Sequence, residues 1–164
     1  MRTNHVAILL IAAMLTSACG RMPWATKHPT STSSTKLEKS LYERLGGDPA
    51  IRAVVHDFVS RSNADANVNF TREGHPNHWQ ATPENVAKLE QRLVEYIGSA
   101  TGGPMEYHGK DMVTAHTGMQ ITNAEFDALA ADLKASLEKF NVPPREQAEL
   151  LKIVGGTRGA IVGN

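Results

Sequence analysis

The amino-acid sequence predicts an all-α fold. Apolar residues recur at helical spacing in successive segments, and capping residues, prolines and glycines mark where those segments begin and end. No segment shows the alternation of apolar and polar residues that is typical of a half-buried strand. With 164 residues, 41% of them hydrophobic and 21% charged, the chain has the length and composition of one ordinary domain with some additional sequence.

The N-terminal residues have the pattern of an export signal. Arg2 supplies a positive start, and residues 6–15 form an apolar run that is too short to span a bilayer comfortably. We therefore predict a signal peptide over residues 1–18. The small residues before Cys19 resemble a bacterial lipoprotein signal, which implies that Cys19 is lipidated and becomes the new N-terminus.

An ordinary secretory signal with a chance cysteine is the alternative, because Thr16 stands where the lipoprotein pattern prefers a larger aliphatic residue. The lipoprotein interpretation predicts an exported protein that faces the periplasm and touches a membrane only through its lipid anchor. Either the inner or the outer membrane fits, and Gly20 after the cysteine permits sorting to the outer one. Residues 19–36 contain prolines and an unbroken run of Ser and Thr, so we predict a flexible tether there and a folded domain over residues 37–164.

Two amphipathic helices are predicted in the first half of this domain. The first begins with Asp48 as its N-cap and Pro49 in the first helical position. The second begins at Thr82 and Pro83 and ends before Gly102-Gly103-Pro104, which stops a helix. Both helices carry apolar residues on one face, so both are expected to pack against a core.

Two more helices are predicted in the second half. Thr122 and Glu125 form a capping box ahead of a long apolar stripe, which ends at Asn141. The last helix begins at Pro144. The glycine pair at 46–47, like the pair at 102–103, is expected to turn the chain sharply between elements.

Composition excludes several classes of function. The 17 Lys and Arg balance 17 Asp and Glu, so no basic face suited to a nucleic-acid backbone is apparent. The single cysteine, Cys19, excludes an internal disulfide framework and a cysteine-based zinc site. The 7 histidines therefore hold most of the candidate chemistry.

His116 is the candidate that stands out among them. It lies in a short segment, 110–117, four residues after Met112, so the two side chains share one face and His116 is expected to point inward. A buried imidazole needs a hydrogen-bond partner or a metal. Periodicity alone favours a structural histidine, but one histidine is enough to ligate haem iron, because the porphyrin supplies the four in-plane ligands.

Five short segments, taken in order and spacing, resemble the group I truncated haemoglobins over roughly residues 40–160. They are Leu41–Gly47, Gly102–Pro104, Tyr107–Lys110, Met112 and Ala115–Met119. The resemblance implies a two-on-two helical sandwich around haem b. It also implies that His116 is the proximal iron ligand, with the haem between the helix 82–98 and the segment 110–117.

The same resemblance implies further cofactor contacts. Lys110 and Arg92 would pair with haem propionates, and His108 beside Lys110 would hydrogen-bond one of them. Met112 and Phe70 would pack on the porphyrin. The alternatives are that Lys110 and Arg92 are solvated surface cations and that Met112 and Phe70 belong to an ordinary core.

The ligand side departs from the family pattern. Aligned through Phe58, the chain has Val59 where relatives commonly carry a tyrosine that donates a hydrogen bond to bound dioxygen. Leu89 and Leu93 align with the other ligand-facing positions, so the predicted distal pocket is apolar and releases O₂ readily. Tyr96 aligns with an aromatic residue near the haem edge and is expected to pack rather than to donate.

A longer loop before the second helix adds two histidines near the expected pocket mouth. His75 and His78 are interpreted as solvated loop residues. A second hypothesis is that His78 donates to the ligand or occupies the sixth coordination position of the iron.

The predicted function is reversible binding of O₂, NO or CO at haem iron, and we do not expect an enzyme. Nitric oxide dioxygenation is one alternative, but its turnover needs an electron donor, and an exported lipoprotein is cut off from the cytosolic nicotinamide pool. Electron transfer in the periplasm is a second alternative. A haem-free helical lipoprotein, with His116 as a structural residue, is a third.

Overall fold

The computed structural model describes residues 38–76 and 78–164, and that part of the chain contains seven helices. They are α1 (Leu41–Arg44), α2 (Gly47–Ala64), α3 (Pro83–Ala100), α4 (Met112–His116), α5 (Asn123–Lys139), α6 (Pro144–Gly155) and α7 (Arg158–Ile161). The predicted signal peptide, Cys19 and the tether lie outside the described residues. Within the described ranges, no helix is long and apolar enough to cross a membrane.

The all-α prediction is confirmed. Helix α2 packs against both α3 and α5, and α5 packs against α6, which gives two layers of paired helices. Extended pairing in the described part is limited to one isolated bridge between Ile121 and Val162. The core between the layers is aliphatic and tightly enclosed, with Val55 at 0%, Val94 at 1% and Leu137 at 1% exposure.

Most predicted helix starts agree with the structure. Thr82 accepts a hydrogen bond from the backbone N–H of Asn85 at 3.2 Å, with Pro83 in the first turn of α3. Thr122 and Glu125 form the predicted capping box of α5. Helix α6 begins at Pro144. These contacts satisfy backbone groups that have no partner within the helix.

The predicted start of α2 was wrong. Gly46 is the N-cap, with φ of +97°, and the helix already includes Asp48 and Pro49. A side chain at Gly46 would bring a Cβ within 2.8 Å of the Ala50 Cβ, so only glycine allows this tight entry. Asp48 instead accepts a hydrogen bond from Arg52 Nε at 2.9 Å, one turn later.

Sequence patterns missed the two shortest helices, α1 and α7. Ser40 and Glu43 form a capping box that starts α1. Helix α7 lies against α4, and next to it the backbone N–H of Gly163 donates to the Ile121 carbonyl at 3.0 Å. The C-terminal residues therefore hold the segment that follows His116.

Candidate functional site

A cavity of about 550 Å³ opens between the helices, a volume typical of cofactor and small-molecule sites. Its walls are mostly apolar and come from α2, α3, α4, α5, α6 and α7. Of the predicted cofactor-binding and distal residues, all but Val59 line it. They are Phe58, Phe70, Leu89, Arg92, Leu93, Tyr96, His108, Lys110, Met112 and His116.

The α4 wall, which we define as Met112, Ala115 and His116, carries the polar group that enters the cavity from this helix. The Nδ1 atom of His116 lies 2.7 Å from the carbonyl oxygen of Met112. A carbonyl only accepts hydrogen bonds, so Nδ1 carries the proton in the neutral ring and Nε2 keeps its lone pair. This is the arrangement in which an imidazole is ready to ligate a metal.

Helix α4 owes its position to local capping. Its N-cap is Asp111, whose carboxylate accepts a hydrogen bond from the Thr114 backbone N–H at 2.9 Å. Hydrogen bonds from Thr114 lower the pKa of Asp111. The cap fixes the first turn of a helix only five residues long, and His116 ends that helix.

The α3 wall, which we define as Leu89, Leu93 and Ile97, supplies apolar side chains to the same cavity. Phe58 from α2 lies beside it. Val59 is buried at 2% exposure in the core between the helices and is not part of the cavity lining. The residues of this wall carry no hydrogen-bond donor in their side chains.

A cationic rim surrounds one side of the cavity and consists of Lys88, Arg92, His108 and Lys110. Glu95 organises it. One carboxylate oxygen, Oε2, accepts from Arg92 Nη1 at 2.7 Å and from the His108 backbone N–H at 3.2 Å. Hydrogen bonds from Gln91 and Arg92 lower the pKa of Glu95 to about 2.

Tyr96 lies on the same helical stripe as Lys88 and Arg92, and its ring packs on a neighbouring aromatic ring. Its ring meets that of Tyr107 at 5.5 Å between centroids and 75° between planes. Tyr107 donates from its hydroxyl to the Lys110 carbonyl at 2.7 Å. A Cβ at position 109 would lie 2.1 Å from that hydroxyl, so Gly109 lets the Tyr107 ring fold over the backbone.

The long loop before α3 brings aromatic residues to the cavity. Phe70 lines it and packs edge to face with Trp79, with ring centroids 5.6 Å apart. The two loop histidines behave differently from each other. His75 pairs with Arg72 through its ring nitrogen at 3.2 Å, whereas His78 is exposed and lies outside the cavity lining.

Three contributions to the site escaped sequence reasoning. Glu95 holds two rim residues, Tyr107 covers the cavity edge, and α7 supports α4. Glu95 had a detectable signal, because it is three residues after Arg92 and such helical pairs attract. Tyr107 and α7 act through contacts between distant segments, which no local pattern reveals.

The cavity suits a haem in size, polarity and charge. Its walls are apolar, one imidazole presents a free Nε2 lone pair, and the rim places cations where carboxylates would reach solvent. A two-layer helical sandwich with this pocket defines the class of truncated globins.

The chain belongs to the bacterial-like globin family and, within it, to the group 1 truncated haemoglobins. The family model matches residues 40–162. A group 1 truncated hemoglobin of Tetrahymena thermophila is 31% identical over 128 residues, which is 78% of this chain and 98% of the relative.

Solved structures agree with this assignment. The Fe(III) truncated hemoglobin of Tetrahymena pyriformis has a TM-score of 0.67 and 29% identity, covering 77% of this chain and 100% of that one. The 2/2 hemoglobin of Synechococcus sp. PCC 7002, solved with covalently attached heme, has a TM-score of 0.65 and 29% identity over the same shares.

Proposed function

We propose that this protein binds diatomic gases at the iron of a haem b that is held by His116. The observation that carries the proposal is the hydrogen bond between His116 Nδ1 and the Met112 carbonyl, inside a cavity of cofactor size. When bound, haem supplies an iron atom with a coordination position for O₂, NO or CO. The remaining roles belong to the residues of this chain.

The Met112 carbonyl orients and polarises His116, the proposed iron ligand. Because Nδ1–H donates to the Met112 carbonyl at 2.7 Å, the ring is fixed in one tautomer and Nε2 is the more basic nitrogen. Met112 and Ala115 lie on the same wall and supply apolar contact around the ring. The α4 wall would therefore bind the cofactor through its iron atom.

The cationic rim would bind the cofactor through its propionate carboxylates. Arg92 and Lys110 are the residues that would pair with propionates, with His108 as a further donor. Glu95 keeps Arg92 and His108 together on this side of the cavity. Phe70 would pack against the ring plane as part of the apolar wall.

The α3 wall sets the ligand preference. Leu89 and Leu93 offer no hydrogen bond to a ligand. By the family resemblance, Val59 stands where relatives commonly carry a donor tyrosine, and in this chain that residue lies in the core outside the cavity lining. A single donor would be worth roughly 1–2 kcal/mol, or about tenfold in O₂ affinity. This chain therefore releases O₂ quickly and favours CO and NO, which depend less on such a donor.

A cavity variant with chemical rescue tests the iron ligand. His116→Gly should lose the five-coordinate ferrous spectrum, and free imidazole added to that variant should restore it. His56→Gly is the matched control, because His56 is exposed and pairs with Glu90 on the surface. An unchanged ferrous spectrum in His116→Gly without imidazole would contradict the proposal.

The N-terminal residues support export and anchoring of this globin. Arg2, the apolar run 6–15 and the small residues before Cys19 are the basis for a lipidated Cys19 and a location facing the periplasm. Cys19→Ser should move the protein from the membrane fraction to the soluble fraction and remove the mass of the lipid. Membrane association that persists in Cys19→Ser would contradict the anchor.

A further inference from the structure

A second chamber of about 210 Å³ adjoins the main cavity. The two share several lining residues, among them Phe70, His116 and Phe126. Four polar residues line the smaller chamber and are not part of the lining of the larger one: Asn69, Arg72, Trp79 and Glu125. The chamber therefore has a chemistry of its own.

Arg72 is the unusual residue of this chamber, because its side chain is only 4% exposed. Its Nη1 donates to Glu125 Oε1 at 2.6 Å, and its Nη2 lies 3.2 Å from His75 Nε2. The Nε–H is buried and has no hydrogen-bond partner within the described residues. A buried donor on a charged group is costly to leave unpaired.

Two further donors line the same chamber. Asn69 Oδ1 accepts from the Glu73 backbone N–H at 3.0 Å, which leaves the amide Nδ2 hydrogens to other partners. The Trp79 ring packs on Phe70, and its indole N–H makes no hydrogen bond to the described residues.

Both carboxylate oxygens of Glu125, which also lines the chamber, already accept hydrogen bonds. Glu125 Oε1 accepts from Arg72, and Oε2 accepts from the backbone N–H and the hydroxyl of Thr122. Burial raises the pKa of Glu125, but the hydrogen bonds from Thr122 and Arg72 outweigh burial and hold it below its ordinary value. The chamber therefore contains a neutral ion pair and a surplus of hydrogen-bond donors.

We propose that this chamber binds a small monovalent oxyanion, the class to which nitrate and nitrite belong. Several acceptor oxygens on one small ion match donors from Arg72 Nε, Asn69 Nδ2 and the Trp79 indole. A monovalent ion is favoured over a divalent one, because Arg72 and Glu125 already neutralise each other and the other walls are largely apolar. His116 borders both spaces, but the three proposed donors, Asn69, Arg72 and Trp79, lie outside the lining of the main cavity.

Titration calorimetry with nitrate on the haem-loaded, reduced full chain saturated with CO tests this site. Because CO occupies the iron, any heat of nitrate binding comes from a site other than the iron. In chloride-free buffer we expect one nitrate per chain. Trp79→Phe keeps the packing on Phe70 but removes one donor, and it should weaken binding by about tenfold.

Paired asparagine variants provide the control. Asn69→Asp replaces a donor by a carboxylate and should abolish nitrate binding. Asn141→Asp should leave nitrate affinity unchanged, because Asn141 is exposed, lies outside the chamber and has a similar positive φ of 54° against 46° for Asn69. If Asn69→Asp does not fold, Trp79→Phe still decides.

The absence of nitrate heat, or equal affinity in wild type and Trp79→Phe, would overturn the site. Chloride binding as tight as nitrate binding would overturn its assignment to oxyanions. The CO absorption band reports the haem separately, so its loss would count against the proposed function and not against this chamber. If the protein takes up no haem, the same nitrate titration is carried out on the haem-free protein.

Discussion

The two walls of the main cavity differ in how the protein holds them. The α3 wall belongs to an 18-residue helix that packs on α2, and its Ile97 is only 4% exposed. The α4 wall belongs to a five-residue helix with no buried residue, which lies chiefly against α7. The α3 wall is thus anchored in the core through Ile97, whereas the α4 wall contains no buried residue.

The walls also differ in chemistry. The α4 wall carries a polarised imidazole and can bind a metal, while the α3 wall offers only alkyl groups to a ligand. Under the proposed function, α4 would hold the iron and α3 would select the gas. Variants of one wall should leave the task of the other largely intact, and the following predictions test this separation.

The largest effect is expected from His116→Ala. Losing the iron ligand removes most of the stabilisation that a bound cofactor gives to the folded state. The thermal unfolding midpoint of the hemin-treated protein should fall by about 10–20 °C relative to wild type. A calorimetric scan measures it, with His56→Ala as the control. An unchanged midpoint with full haem absorption would refute the role of His116.

Hydrogen exchange should separate the two walls without any mutation. The Ala115 amide, which donates to the Asp111 carbonyl at 2.9 Å, should gain about tenfold or more protection when haem is added to haem-free protein. Amides of α3 near Val94 should change much less, because that residue is already buried. Equal gains in both helices would show that the walls are not held differently.

Adding a donor to the α3 wall should slow the release of O₂. Leu93→Gln places an amide on the cavity lining and should lower the O₂ dissociation rate by about tenfold, with a smaller change for CO. Stopped-flow kinetics measures both rates. Val86→Gln is the control on the same helix, because Val86 lies outside the cavity lining. A wild-type O₂ dissociation rate that is already slow would contradict an apolar ligand side.

Much of this architecture was predictable because it depends on local signals. The caps at Thr82 and Thr122 and the start at Pro144 follow from short-range hydrogen bonding, and the structure agrees with them. The start of α2 was misjudged, because Asp48 and Pro49 fit a helix start but the left-handed Gly46 begins the helix earlier.

The site was only partly predictable, and for a physical reason. Apolar periodicity marks Leu93 and Leu137 alike, yet Leu93 lines the cavity and Leu137 is sealed in the core. Contacts between distant segments decide which of the two a residue becomes. For the same reason, the pairing of Arg72 with Glu125, 53 positions apart, has no signature in either segment.

A smaller effect is expected at the rim when pH changes. The pKa of Glu95 is about 2 in the folded protein and 4.5 ordinarily, so its stabilising effect is complete above pH 4.5 and is lost as pH falls toward 2. Glu95→Gln should lower the unfolding midpoint at neutral pH, and the difference from wild type should shrink at pH 3. The exposed Glu106→Gln is the control. A difference that grows in acid would contradict the assignment.

The smallest effect is expected from Tyr96→Phe. The ring of Tyr96 packs edge to face on Tyr107 beside the cationic rim, and we expect that its hydroxyl does not donate to the ligand. The O₂ dissociation rate of Tyr96→Phe should stay within about a factor of two of the wild-type rate. An O₂ dissociation rate that rises tenfold in Tyr96→Phe would show that Tyr96 donates a hydrogen bond to the ligand. The ligand side of the cavity would then not be apolar.

The absorption spectrum of the reduced protein, recorded before and after CO is added, tests the central claim most directly. We expect a five-coordinate ferrous spectrum that converts completely to a single CO complex. Protein that is folded but colourless after treatment with hemin, or a ferrous spectrum that CO does not change, would contradict a gas site on His116.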